Sequence, residues 1–278
     1  MKFCRILIHD IRTGTYSKPY FLLIAFVTWG LCMKAHIWYA MWDTVGIGDY
    51  FVYCMAGIEP FQRGYGEGFQ FPIPWLLFWG CAFFGTLSYP RRDLTSYGQQ
   101  ILIRMDRKVS WWISKCIWIV ANSALSVLMY ALTILLFALI NGIPFCFENQ
   151  PQLTLRLFTN YYELTSSQSL SGIQVITLSL LLPLAFLISV ALLQLLLSLV
   201  IPPIFAFFVT LSVLIISAFL TNPFLIGNYA MVLRNSNLIE GGVTLAQGFL
   251  IFALLAITVI IVGFYVIKHI NILPHERN

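Results

Sequence analysis

Long apolar stretches with almost no charge recur along the whole chain, separated by shorter polar segments, and within them apolar and polar residues do not alternate. A helix rises 1.5 Å per residue, so crossing a hydrocarbon core of roughly 30 Å takes about 20 mostly apolar residues. Stretches of that kind cover about 20–40, 71–89, 116–140, 173–200, 203–220 and 249–267. The fourth and fifth belong to one uncharged run, Ile176 to Leu220, too long for a single crossing. Pro202 and Pro203 divide it, because proline lacks the amide donor and clashes with the preceding turn. Barrel strands fit poorly, since they are about half this length and strictly alternating. The pattern predicts an all-α integral membrane protein with six transmembrane helices, organised as one transmembrane domain over residues 1–278.

Composition agrees. Hydrophobic residues make up 59% of the 278 and charged residues 10%, against about 25% charged in an ordinary soluble domain. A polar-surfaced soluble protein, a disordered chain and a disulfide-stapled secreted module are all excluded. The net charge of +5 has a direction. With the N-terminus inside, Lys2, Arg5, Arg12, Lys18, Arg91, Arg92, Arg104, Arg107, Lys108, Lys115, Lys268 and Arg277 fall on the inner side. Only Arg63, Arg156 and Arg234 fall outside, with Lys34 at the outer end of the first span, and acids are biased outward. This is the positive-inside distribution. It places both termini inside and accounts for the basic balance without nucleic acid.

The segments between spans are short. None reaches the roughly 40 residues at which a chain holds its own core without staples, so no soluble catalytic domain is expected. No G-x-x-x-x-G-K-[ST] phosphate loop occurs either. The N-terminus reads as an amphipathic interfacial helix, with Phe3, Leu7 and Ile11 beside Cys4 and Ile8 and with Lys2, Arg5, His9 and Arg12 opposite. No cleavable signal peptide is expected there. The segment from Tyr89 to Lys115 carries half of the inner positive charge. Its pattern predicts a short cytoplasmic helix with Arg104, Arg107 and Lys108 toward water, and with Trp111 and Trp112 at headgroup level. Outside, Thr44–Phe61 predicts a short helix on the outer surface and residues 221–248 a partly re-entrant helix dipping into the outer leaflet, and both need neighbouring protein around them.

Chemistry is sparse. No Asp or Glu falls within the six stretches, which weighs against proton- or sodium-coupled transport. His9, His36, His269 and His275 lie at membrane edges or in tails, away from any haem or zinc geometry. No nucleophile motif is present, and no catalytic, metal or cofactor residue is predicted. Lys34 snorkels to the interface, and Pro183 predicts a kink in the fourth span. Of the six cysteines, only Cys54 and Cys146 lie where a disulfide could form.

The layout resembles the permease subunits of bacterial ATP-binding-cassette exporters with six spans and a separate ATPase polypeptide. The stretches TVGIGDYFVYCMAGIEP and YPRRDLTSYGQQILIRMDRKVSWWISK look like those of Gram-positive permeases of this type. The resemblance covers the whole chain but rests on architecture, since no short motif defines such permeases. It implies a multi-pass protein of the bacterial cytoplasmic membrane and a second permease, identical or homologous. It also implies two ATPase subunits, which carry ATP and Mg. The 90–115 loop would be the coupling element, with Tyr97, Gln99, Gln100, Arg104, Arg107 and Lys108 against the ATPase and the helix of Lys2, Arg5 and Arg12 beside it. Cargo would be a peptide, an antimicrobial or another amphipathic molecule; no substrate residue is indicated. The competing readings are an accessory or channel-like membrane subunit and a membrane-embedded lipid-modifying enzyme.

Overall fold

The computed structural model describes residues 2–15, 20–41, 45–60, 71–87, 89–94, 108–158 and 169–269, with the side chains of Lys2, Arg5 and Leu94 outside that description. The described residues contain no β-strand, only an isolated bridge between Asn235 and Val243. Four helices are long and apolar enough to cross a membrane: α2 (Tyr20–Tyr39), α6 (Lys108–Ile140), α8 (Gly172–Val200) and α10 (Leu245–His269). Two more apolar helices are shorter, α4 (Ile73–Leu87, 15 residues) and α9 (Pro203–Phe219, 17 residues). They span about 22 and 26 Å. The remaining helices are α1 (Lys2–Thr15), α3 (Ile47–Met55), α5 (Tyr89–Leu94) and α7 (Pro151–Leu155).

α8 is the central element, packed on α10, α9, α6 and α4, while α2 lies against α6 and α4. Its first half is not regular. Pro183 has no N–H to bond the carbonyl four residues back, and the preceding stretch Thr177–Leu181 opens into a π-helical turn. The Leu182 N–H reaches Thr177 O, five residues back. The break at Pro202 and Pro203 is where the apolar run predicted it, with α8 ending at Val200 and α9 beginning at Pro203.

Buried side chains fall into two clusters. The larger, toward α3, includes Trp75, Trp79, Phe83, Tyr130, Phe137 and Phe186; the smaller, toward α1, includes Tyr89, Trp111, Trp112, Trp118, Leu192 and Val259. Large apolar side chains such as Leu22, Phe26, Ile37, Leu136, Leu250 and Ile261 point outward and are exposed. A helix bundle that turns so many large apolar side chains outward needs an apolar solvent around it. Two glycines permit close approaches at the α1 end. A Cβ on Gly14 would lie 2.4 Å from the Trp118 ring and one on Gly263 would lie 1.9 Å from the Trp112 ring.

Several expectations are corrected. The third apolar helix does not begin at Cys116 but runs unbroken from Lys108. Trp111 and Trp112 are 1% and 0% exposed, not at a headgroup belt. Each indole N–H finds a protein acceptor instead, Trp112 donating to Ile260 O at 3.1 Å. α3 exists but is buried, with Ile47, Tyr50, Phe51, Val52 and Met55 nearly inaccessible, so it does not lie on the surface. Residues 221–244 form two 3-10 turns, Ile226–Ala230 and Val232–Arg234, rather than an α-helix. The Cys54–Cys146 pairing does not form: both are free, Cys54 buried and Cys146 exposed.

Candidate functional site

At the α1 end, three elements meet around one lysine. α6 begins at Lys108, so Trp111, Lys115 and Trp118 fall at i, i+4 and i+7 on a single face. That face receives α1 and α5. Lys115 is fully buried, with its Nζ 2.6 Å from Asp10 Oδ1 of α1 and 2.7 Å from Asp93 Oδ2 of α5. Asp10 is 1% exposed and Asp93 6%.

One ammonium cannot neutralise two carboxylates, and the remaining negative charge is met by neutral donors. Tyr89 OH donates to Asp10 Oδ1 at 2.8 Å, Ser114 Oγ to Asp10 Oδ2 at 2.6 Å, and Trp111 Nε1 to Asp93 Oδ2 at 2.9 Å. Burial, reinforced by the nearby Asp10 carboxylate, pushes the Tyr89 phenol well above its usual range, so it remains a donor. Lys115 also sits over the rings of Tyr89 and Trp111, at 4.5 and 5.2 Å from their centroids.

α5 is therefore fixed on three sides. Tyr89 binds α1, Asp93 binds α6, and Arg91 Nη1 donates to Ile201 O, in the turn between α8 and α9, at 3.0 Å. Asp93 thereby ties the end of α5 to the first two turns of α6.

Of the residues predicted for coupling, Tyr97, Gln99, Gln100, Arg104 and Arg107 lie outside the described residues, as do the side chains of Lys2 and Arg5. Lys108 opens α6, and its Nζ reaches the Lys268 carbonyl, in the last turn of α10, at 3.4 Å. Arg12 is exposed on α1. The face of α1 turned to protein holds Ile6, Asp10 and Gly14, while Cys4, Ile8 and Ile11 are exposed. The sequence pattern located the apolar stripe but not which side packs on protein. Lys115, placed by the sequence among the inner loop charges, and Asp10 and Asp93, to which it assigned no role, are the residues the sequence missed. The available signal was the Trp111–Lys115–Trp118 spacing, visible once the third span is extended backward.

The opposite end has its own polar anchors. Asp49, 1% exposed, accepts the Gly46 N–H at 3.0 Å and the Gln150 N–H at 2.7 Å, tying α3 to the segment before α7. Burial outweighs those two bonds and raises its carboxyl to about 6. Arg234, 2% exposed, donates to Ile58 O at 2.9 Å, Ala218 O at 2.7 Å and Ser217 O at 2.5 Å, and to the Asn228 side chain. It thereby caps the carbonyl end of α9 and pins the 3-10 turns to residue 58. A groove of about 440 Å³ between α4 and α9, with Leu77, Gly80, Phe84 and Phe207 in its lining, is apolar and offers no charged group. No group of His, Cys, Asp and Glu among the described residues could hold a metal ion.

The class so defined is an all-helical protein with four helices suited to a membrane and a buried charged junction at one end of the bundle. The chain belongs to the family described as Protein of unknown function (DUF2705), whose profile matches residues 21–273. No curated protein and no solved structure matches it.

Proposed function

We propose that this chain is the permease subunit of an ATP-driven exporter, with the cytosolic segment around residues 95–107 receiving force from a separate ATPase. The observation that carries the reading is the buried junction between α5 and α6: Asp93 bonds Trp111 and Lys115, and Lys115 also bonds Asp10 of α1. A loop that merely anchors a span needs no buried ion-pair junction beneath it, whereas a loop that transmits displacement needs a stiff one.

In this reading α4 and α9 are the second and fifth of six spans, and the α1 end faces the cytosol. The positive-inside rule supports that orientation, since Arg12, Arg91, Arg92, Lys108 and Lys268 gather at this end. The exposed Cys4, Ile8 and Ile11 of α1 lie in the headgroup boundary of a bacterial cytoplasmic membrane. Two permeases, identical or homologous, pair over an ATPase dimer that holds ATP and Mg. The cargo is amphipathic, because the apolar helices carry no buried acid to recognise a charged solute.

Charge reversal tests this. Arg104→Glu with Arg107→Glu, in the reconstituted permease–ATPase assembly, is expected to leave ATP hydrolysis and span insertion intact while abolishing transport. Wild-type transport by that variant would reduce the segment to a topological anchor.

A further inference from the structure

Lys115 is held by two carboxylates from two different elements, and neither contact reaches solvent. In a low-dielectric interior such contacts are not independent: removing one carboxylate re-aims the ammonium and changes what the other experiences. Asp10 is also the point where Tyr89 of α5 and Ser114 of α6 meet α1. On the far side, Asp93 of α5 accepts from the Trp111 indole of α6. We propose that Lys115, shared between Asp10 and Asp93, makes α1 and α5 one coupled unit. Whatever holds α1 also holds α5, and by linkage whatever holds α5 also holds α1. Asp10 and Lys115 are positioning residues in this account. The proposal goes beyond the exporter reading, because it concerns only this chain and requires no docked protein.

Amide hydrogen exchange on the full chain in lipid nanodiscs tests it without any partner. Ile6 is buried where α1 meets the bundle but is not part of the ion-pair cluster. Ile6→Ser in the otherwise native chain is expected to speed exchange about tenfold or more in residues 2–15, and by a comparable factor in 89–94. The same substitution is then made in a background carrying Asp10→Asn, Asp93→Asn and Lys115→Met. That background leaves no buried charge unpaired and so keeps the spans protected. There, Ile6→Ser is expected to loosen residues 2–15 alone. Equal responses of 89–94 in both backgrounds, or no response in either, overturn the proposal. Ile8→Ser, on the exposed face of α1, is expected to leave 89–94 at native rates. Since no nucleotide hydrolase is present, the result is independent of whether the chain couples to one.

Discussion

Trp112 of α6 lies with its ring over Gly263 of α10, where a Cβ would come within 1.9 Å of ring carbons, and its indole N–H bonds the Ile260 carbonyl three residues earlier. The glycine makes the approach possible and the hydrogen bond fixes the ring in it. Helices in an apolar solvent associate through such close packing, because burying apolar surface gains little there.

Gly263→Ala is therefore expected to separate α6 from α10. A bulky indole ring cannot yield as a flexible side-chain end would, and overpacking of this kind costs about 1–3 kcal/mol. Thermal unfolding in detergent should show the loss, and Gly30→Ala, where no atom lies within 4 Å of the added carbon, should not.

Lys115→Met leaves Asp10 and Asp93 facing each other in a buried space. Removing one partner of a buried ion pair typically costs about 3–5 kcal/mol, whereas replacing the whole cluster by neutral groups of similar shape is near neutral. The single variant should lower the unfolding temperature strongly. Combined with Asp10→Asn and Asp93→Asn, it should recover most of that loss.

Asp49 gives the α3 end a pH dependence of defined sign. Its folded pKa is raised to about 6 from an ordinary 3.8, so folding favours the protonated form. The stability it contributes is fully present below about 3.8 and is lost as pH rises through about 6. Hydrogen exchange in residues 45–55 should slow as pH is lowered from 7 to 4, after correction for intrinsic rates. Asp49→Asn should remove that trend, at a cost of about 1–3 kcal/mol, since an amide oxygen cannot accept in both directions taken by Gly46 and Gln150.

Arg234→Lys should not preserve the α9 terminus. The guanidinium reaches Ile58, Ser217 and Ala218 from separate nitrogens, and one ammonium cannot replace that fork. Limited proteolysis between residues 220 and 244 should accelerate in the lysine variant while cleavage elsewhere stays unchanged.

The apolar pattern located α2 and α8 to within a residue, and the Pro202–Pro203 division with them, because lipid burial needs only length and lack of charge. It failed where charge is buried in protein. Lys115 made the start of α6 look like a loop, since a lysine is ordinarily solvated; its ion pairs to Asp10 and Asp93 remove that constraint. Trp111 and Trp112 looked interfacial for the same reason, their N–H partners being on α5 and α10, remote in sequence. The two exposed-looking segments at the α3 end were correctly read as needing protein around them. Nothing local, however, shows that Arg234 supplies it by capping a helix that ends at Phe219.

The most direct test of the account is to isolate the tagged chain from its native membrane in mild detergent and to assay the preparation for ATP hydrolysis. The account predicts a companion polypeptide of about 200–300 residues, a common domain size, that hydrolyses ATP and co-purifies stoichiometrically with this chain. Transport by the purified chain in vesicles with no such companion, and without nucleotide, would contradict it.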